Sequence, residues 1–133
     1  VLGKPCPLFV PLVEEGWLKD PVTVEVANRY LEPLLESGID TLIMGCTHYP
    51  LLRSTLRQIM GEKVNLVNPA YETARELKYL LERDGLNNDG KQNYEGAMHE
   101  FYVSAAANKF KNFANSILPY GVDTTQLIHI EDY

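Results

Sequence analysis

Apolar residues recur at helical spacing in several stretches of the chain and bunch into short runs between them. Residues 21–37, PVTVEVANRYLEPLLES, set Val22, Val26, Tyr30 and Leu34 four apart, one face of a helix. Pro21 suits the first helical position and Gly38 the stop, while Pro33 inside the pattern predicts a kink or a restart. The run 39–45, IDTLIMG, follows as a short buried parallel strand. A helix is expected over 50–60, with Pro50 near its start and Gly61 as its end, and then a strand over 63–68, KVNLVN. Residues 71–83 form an amphipathic pattern with Leu77, Leu80 and Leu81 on one side and Gly85 beyond. After the polar, Asn/Gly-rich loop 86–96 come a strand over 99–105, a helix over 108–118 and a terminal strand over 125–131. Helix and strand alternate throughout, so the chain reads as an α/β parallel-sheet, three-layer architecture.

Composition narrows what such a fold can do. The 133 residues carry a net charge of −6, and the basic ones are scattered. A nucleic-acid or anionic-membrane partner needs a basic face, so neither is expected. No run approaches the roughly 20 apolar residues of a membrane helix. The two cysteines, Cys6 and Cys46, make no disulfide framework and fit a reducing, cytoplasmic setting. The opening VLGKPCPLF lacks an initiator Met and resembles a loop inside a longer protein, which points to a fragment or a processed product.

The chemistry concentrates in GCTHYPLL, residues 45–52. In open α/β sheets, ligands sit just beyond the carboxyl ends of strands, where Cys46 falls. Gly45 lets the chain turn tightly and a ligand approach the backbone. The start of the following helix favours a carboxylate or a thiolate, and such a position lowers a cysteine pKa. His48 is near enough to exchange a proton, and Thr47 offers a hydroxyl to a substrate carboxylate or amine. Against this stands the ordinary fate of a free cysteine, which is burial as a small apolar group. On the residues alone both readings of Cys46 stay open. A zinc site needs two more ligands than Cys46 and His48, and Cys6, His99 and His129 show no paired spacing with them.

GCTHYPLL resembles the second-cysteine motif of the glutamate racemases, in the cofactor-independent aspartate/glutamate racemase superfamily. CPLFVPLVEEG (6–16) is similar to the same family at the expected distance upstream. NPAYETARELKYLL (68–81) resembles its Glu-Thr-Ala helix, and HEFYVSAAANKFKNFA (99–114) its late strand and helix. Where that family has Thr-Thr-Gly-Ser or similar after the late strand, this chain has VSAAAN, and no role is carried over there.

The resemblance implies an isomerase that inverts L-glutamate to D-glutamate for peptidoglycan. Two cysteines on opposite faces of Cα would exchange the proton, with no cofactor and no metal. Chemically this needs two acid/base groups in opposite protonation states in a site shielded from water. By resemblance Cys46 acts on the L-glutamate face, His48 assists it, Glu14 supports His48, and Thr47 contacts the substrate. His48 favours glutamate over aspartate, since aspartate racemases resemble the pattern with Glu after Cys-Thr. The family's first half, with its own cysteine, has no counterpart here, and Cys6 between prolines reads as structural. The chain alone is therefore expected to be inactive. Its expected partners are glutamate, the missing N-terminal half and a second copy in a homo-oligomer. Residues 1–67 are expected to be the later part of the second-cysteine domain, and 68–133 the segment returning to complete a similar first α/β domain. The alternatives are an aspartate racemase or related superfamily isomerase, and a non-catalytic fragment that binds a carboxylate or mediates assembly.

Overall fold

The alternation of helix and strand is present in the structure, a computed structural model that describes residues 1–88 and 99–132. In chain order the elements are α1 (Phe9–Glu14), α2 (Pro21–Glu36), β1 (Thr41–Ile43), a 3-10 turn (Tyr49–Leu52), α3 (Arg53–Met60), β2 (Asn65–Val67), α4 (Pro69–Arg83), β3 (Tyr102–Val103), α5 (Ala107–Ile117), β4 (Gln126–Leu127) and a closing 3-10 turn (Ile130–Asp132). The polar loop expected over 86–96 lies, beyond residue 88, outside the described residues. Two compact units are present, Val1–Asn87 and Asn88–Tyr133.

Side-chain caps decide where the two long helices begin. Asp20 accepts the Val22 N–H at 2.8 Å ahead of Pro21, and Asn68 accepts the Ala70 N–H at 3.1 Å ahead of Pro69. Each cap satisfies a donor that the helix cannot, and a proline at the first position has no N–H to leave orphaned. This cap starts α4 at Pro69, ahead of the expected 71. Pro33 does not restart α2, which runs unbroken past it to Glu36. The buried face of α2 also differs from the expected stripe. Thr23, Ala27, Leu31 and Leu34 are buried, whereas Val22 lies 51% exposed. A polar residue can occupy this face because the Thr23 hydroxyl donates to the Trp17 carbonyl at 2.5 Å.

In the first unit, β1 and β2 pair in parallel with Thr41 opposite Asn65, Leu42 opposite Leu66 and Ile43 opposite Val67. Helices α2 and α3 pack together beside this pair, and Thr55 of α3 donates to the Leu18 carbonyl at 2.7 Å. Arg53 and Arg57, one turn apart on α3, reach the carbonyls of Leu66 (3.0 Å) and Val64 (2.7 Å) and so fix the helix to β2 and its approach. Phe9, Val13, Met44, Leu52 and Leu56 form the core, each no more than 2% exposed. The expected buried strand is shorter and more open than its composition implied. Ile43 is 64% exposed, since β1 has a single partner strand among the described residues.

In the second unit, β3 and β4 pair in parallel, with Tyr102 opposite Gln126 and Val103 opposite Leu127. Asn115 of α5 holds the following loop by both ends of its amide, accepting the Val122 N–H at 2.6 Å and donating to the Val122 carbonyl at 3.3 Å. Val122 is buried beneath this clamp, while His99 lies on the surface, stacked on Tyr120 at 4.6 Å.

Leu56→Ala should remove about 2–5 kcal/mol of stability, the cost of a cavity at a fully buried leucine. Leu35→Ala, on the exposed side of α2, should stay within about 0.5 kcal/mol. Urea unfolding of the two variants against the parent checks the contrast.

Candidate functional site

Three short bonds steer the chain out of β1. Met44 N–H extends the ladder to the Val67 carbonyl at 3.0 Å, and then Gly45 and Cys46 donate back to Ile43 (3.0 Å) and Met44 (2.8 Å). The turn is thus made by the backbone, and a Cβ on Gly45 would meet no atom within 4 Å. Nothing in this chain's own packing demands glycine there. The helix expected over 50–60 begins instead as a 3-10 turn, with Leu51 N–H on the His48 carbonyl at 3.0 Å, and becomes α-helical only at Arg53. The α-helical start lies several residues beyond Cys46, so the expected helix-end support for its thiolate is weakened, because that field fades within a turn.

The structure brings the four candidate residues into two neighbouring segments. Cys46 is half-buried in the loop after β1, followed by the exposed Thr47 and the half-buried His48. His48 Nδ1 lies 3.0 Å from Thr47 Oγ1, and His48 Nε2 lies 3.6 Å from Glu14 Oε1. Both ring nitrogens therefore face an oxygen. A carboxylate beside Nε2 favours the proton on that nitrogen, leaving Nδ1 to accept from the Thr47 hydroxyl. Glu14 is the last residue of α1. The sequence pattern 9-12-13 (Phe, Leu, Val) could have revealed this helix.

Tyr49 and Phe9 are the neighbours that sequence reasoning missed. Tyr49 donates its hydroxyl to the Cys6 carbonyl at 3.1 Å, and its ring meets Phe9 edge-to-face at 5.2 Å and 88°. On its other side Phe9 meets Tyr30 of α2 at 5.4 Å and 76°. Burial, and then the charges that Cys6 and Cys46 would carry as thiolates, push the Tyr49 phenol above its ordinary value of 10.0. Cys6 itself is buried, as expected, with its thiol directed at the Lys4 carbonyl (3.6 Å). Burial raises that thiol above 9.0, against the opposing pull of Lys4.

One cavity of the first unit borders Cys6, Phe9 and Tyr49. A groove of about 790 Å³ runs along β1 between the segment Val1–Cys6 and the end of α2, touching Gly45 and Tyr49 but none of Glu14, Cys46, Thr47 or His48. Its walls are mainly apolar and backbone. It follows β1, which has one partner strand among the described residues. Among the described residues no group of three or more His, Cys, Asp or Glu could hold a metal ion, and no helix is long and apolar enough to cross a membrane.

No family model matches the chain. Individual relatives do. The glutamate racemase of Thermoanaerobacter sp. (strain X514) is 41% identical across the whole of this chain, and that of Shouchella clausii (strain KSM-K16) 42% identical across 95% of it. The chain spans about half the length of these curated relatives, 49% and 44% respectively. Among solved structures, the glutamate racemase of Francisella tularensis in complex with D-glutamate matches 98% of the chain with a TM-score of 0.82 at 31% identity, again over 47% of its own length. The Thermus thermophilus enzyme in complex with beta-chloro-D-alanine matches with a TM-score of 0.81 at 36% identity, over 98% of this chain and 48% of that one.

The raised thiol and phenol make stability pH-dependent in one direction. A group whose folded pKa lies above its unfolded value contributes fully below the unfolded value and loses that contribution as pH rises through the folded one. Stability should therefore hold near neutrality and fall as pH climbs past about 8.5, where unfolded cysteine is half ionised. Cys6→Ala should flatten the fall while lowering the starting level slightly. Urea midpoints measured from pH 7 to pH 10.5 read both effects.

Proposed function

We propose, from this chain's homology to one half of the glutamate racemases, that it supplies one side of a racemase site that inverts glutamate at Cα. The observation that carries the reading is the line Thr47–His48–Glu14 beside the half-buried Cys46, within a chain about 40% identical to glutamate racemases. Cys46 is the acid/base group on the L-glutamate face: as thiolate it takes the α-proton, and as thiol it returns one. His48 handles the proton that the thiol gives up, and Glu14 holds the imidazole in the tautomer that can do so. Thr47, exposed beside them, offers its hydroxyl to the substrate's carboxylate or amine. The complex of a structural relative with D-glutamate supports glutamate as the substrate class.

The second acid/base group belongs to the half of the protein that this chain does not contain. Cofactor-independent chemistry, a cytoplasmic setting and a role in supplying D-glutamate for peptidoglycan follow from the same reading. Residues 1–67 then form the later part of the Cys46 domain, and 68–133 return to complete the other domain. In support, α4 lies within the first compact unit, yet none of its residues is buried, and Leu77 and Tyr79 are 55% and 57% exposed. An amphipathic helix in that state has a face awaiting cover. The missing half, and secondarily a second copy of the chain, are the partners this predicts.

The test uses the full-length enzyme. It should racemise glutamate far faster than aspartate at equal concentration, and solvent deuterium should enter Cα. Cys46→Ala should cut kcat in both directions by about 10²–10⁴-fold, the usual weight of a positioned acid/base group. Full activity in that variant, or in Cys46→Ser, would remove Cys46 from the mechanism. The 133-residue chain alone should bind glutamate weakly and exchange no deuterium.

A further inference from the structure

Two consecutive residues of the Cys-Thr-His-Tyr loop grip opposite ends of α1. At its start, Tyr49 donates to the Cys6 carbonyl at 3.1 Å, an oxygen that also accepts the Phe9 N–H at 3.1 Å. At its end, Glu14 Oε1 stands 3.6 Å from His48 Nε2. With a rise of about 1.5 Å per residue, the two grips lie roughly 8 Å apart along the helix. We propose that Tyr49 is a positioning residue for the His48–Glu14 pair: its bond to the Cys6 carbonyl fixes where α1 stands, and therefore where the Glu14 carboxylate meets the imidazole beside Cys46. This inference rests on the racemase reading for its consequence in catalysis, though not for its geometry.

The need for such a grip follows from the helix itself. α1 has six residues and no side-chain cap at its start, so it has little capacity to hold its own position. Its buried residues, Phe9 and Val13, give it a seat in the core but no directional bond. The edge-to-face contacts of Phe9 with Tyr30 and Tyr49 define the seat's side walls and tolerate sliding. The Tyr49 hydroxyl adds the direction, bonding across 43 residues of chain. A contact of 3.6 Å is already long for a charge-assisted pair, so a further shift of about 1 Å would leave the imidazole without its carboxylate. The hydroxyl can donate only while it keeps its proton, and its burial favours that state through the range in which the enzyme would work.

The experiment is a double-mutant cycle on the full-length enzyme, with Tyr49→Phe, Glu14→Gln and the two combined. Tyr49→Phe keeps the ring and removes only the hydroxyl. It should lower kcat about 3- to 10-fold, the factor associated with one hydrogen bond, with KM changed less than about twofold. Added to Glu14→Gln, it should cost nothing further, because both changes break one unit. Multiplying effects, a change confined to KM, or an unchanged kcat in Tyr49→Phe would overturn the proposal. If Tyr49→Phe does not fold, Phe9→Leu, which loosens the seat and leaves the hydroxyl, replaces it in the same cycle with the same expected non-additivity. The rate of Cys46 alkylation by iodoacetamide, mapped by peptide mass, is read on the same proteins. Tyr49→Phe should change it in the parent and not in the Glu14→Gln background. An enzyme inert toward glutamate that still shows this coupling sinks the racemase reading and leaves the positioning role standing; alkylation rates indifferent to Tyr49 sink the positioning role whatever the activity.

Discussion

The buried ring of Phe9 is the contact on which the rest of the first unit depends. It is 1% exposed and stands edge-on between Tyr30 of α2 and Tyr49 of the loop after β1. Three segments distant in sequence thus share one aromatic cluster, and each brings something that the site needs. α2 provides the wall, the loop carries Cys46, Thr47 and His48, and α1 carries Glu14. Aromatic pairs of this kind contribute about 0.5–1.5 kcal/mol beyond the area they bury. Their greater effect here is geometric. A six-residue helix and a 3-10 turn have little stability of their own, and the ring gives both a common reference point.

Much of this was legible in the sequence, and what was not has physical reasons. Pro21 and Gly38 bounded α2 well because helix starters and breakers act locally. The same rule misplaced the start of α4 only because Asn68, ahead of Pro69, was read as part of the preceding strand. The buried face of α2 was off by one position, since a threonine with a backbone acceptor can replace a valine in a core and apolar counting cannot foresee the acceptor. GCTHYPLL drew notice through its chemistry, and the residues chosen there do approach one another. Tyr49 stood inside the quoted motif and was passed over, because its partner, the Cys6 carbonyl, lies 43 residues away and carries no side-chain signature.

The strands expose a different constraint. Among the described residues each of the two sheets has two strands, with three and two residues in register. Pairs this small are marginal without further strands or a covering layer. In the first unit the cover comes from α2 and α3, with Arg53 and Arg57 stitching α3 to the carbonyls around β2. Among the described residues β1 has no second neighbour, Ile43 is exposed, and a mainly apolar groove borders the strand.

On the proposed racemase reading, inversion at Cα needs a base on one face and an acid on the other, so Cys46 requires an opposing acid/base group. Cys6 is the one other thiol in the chain. It is 5% exposed, points at a backbone carbonyl, and burial pushes its thiol pKa up. Its carbonyl, in contrast, is in use, receiving Tyr49 and the first turn of α1 together. Cys6 therefore contributes to the placement of Glu14 through its backbone and not through its thiol.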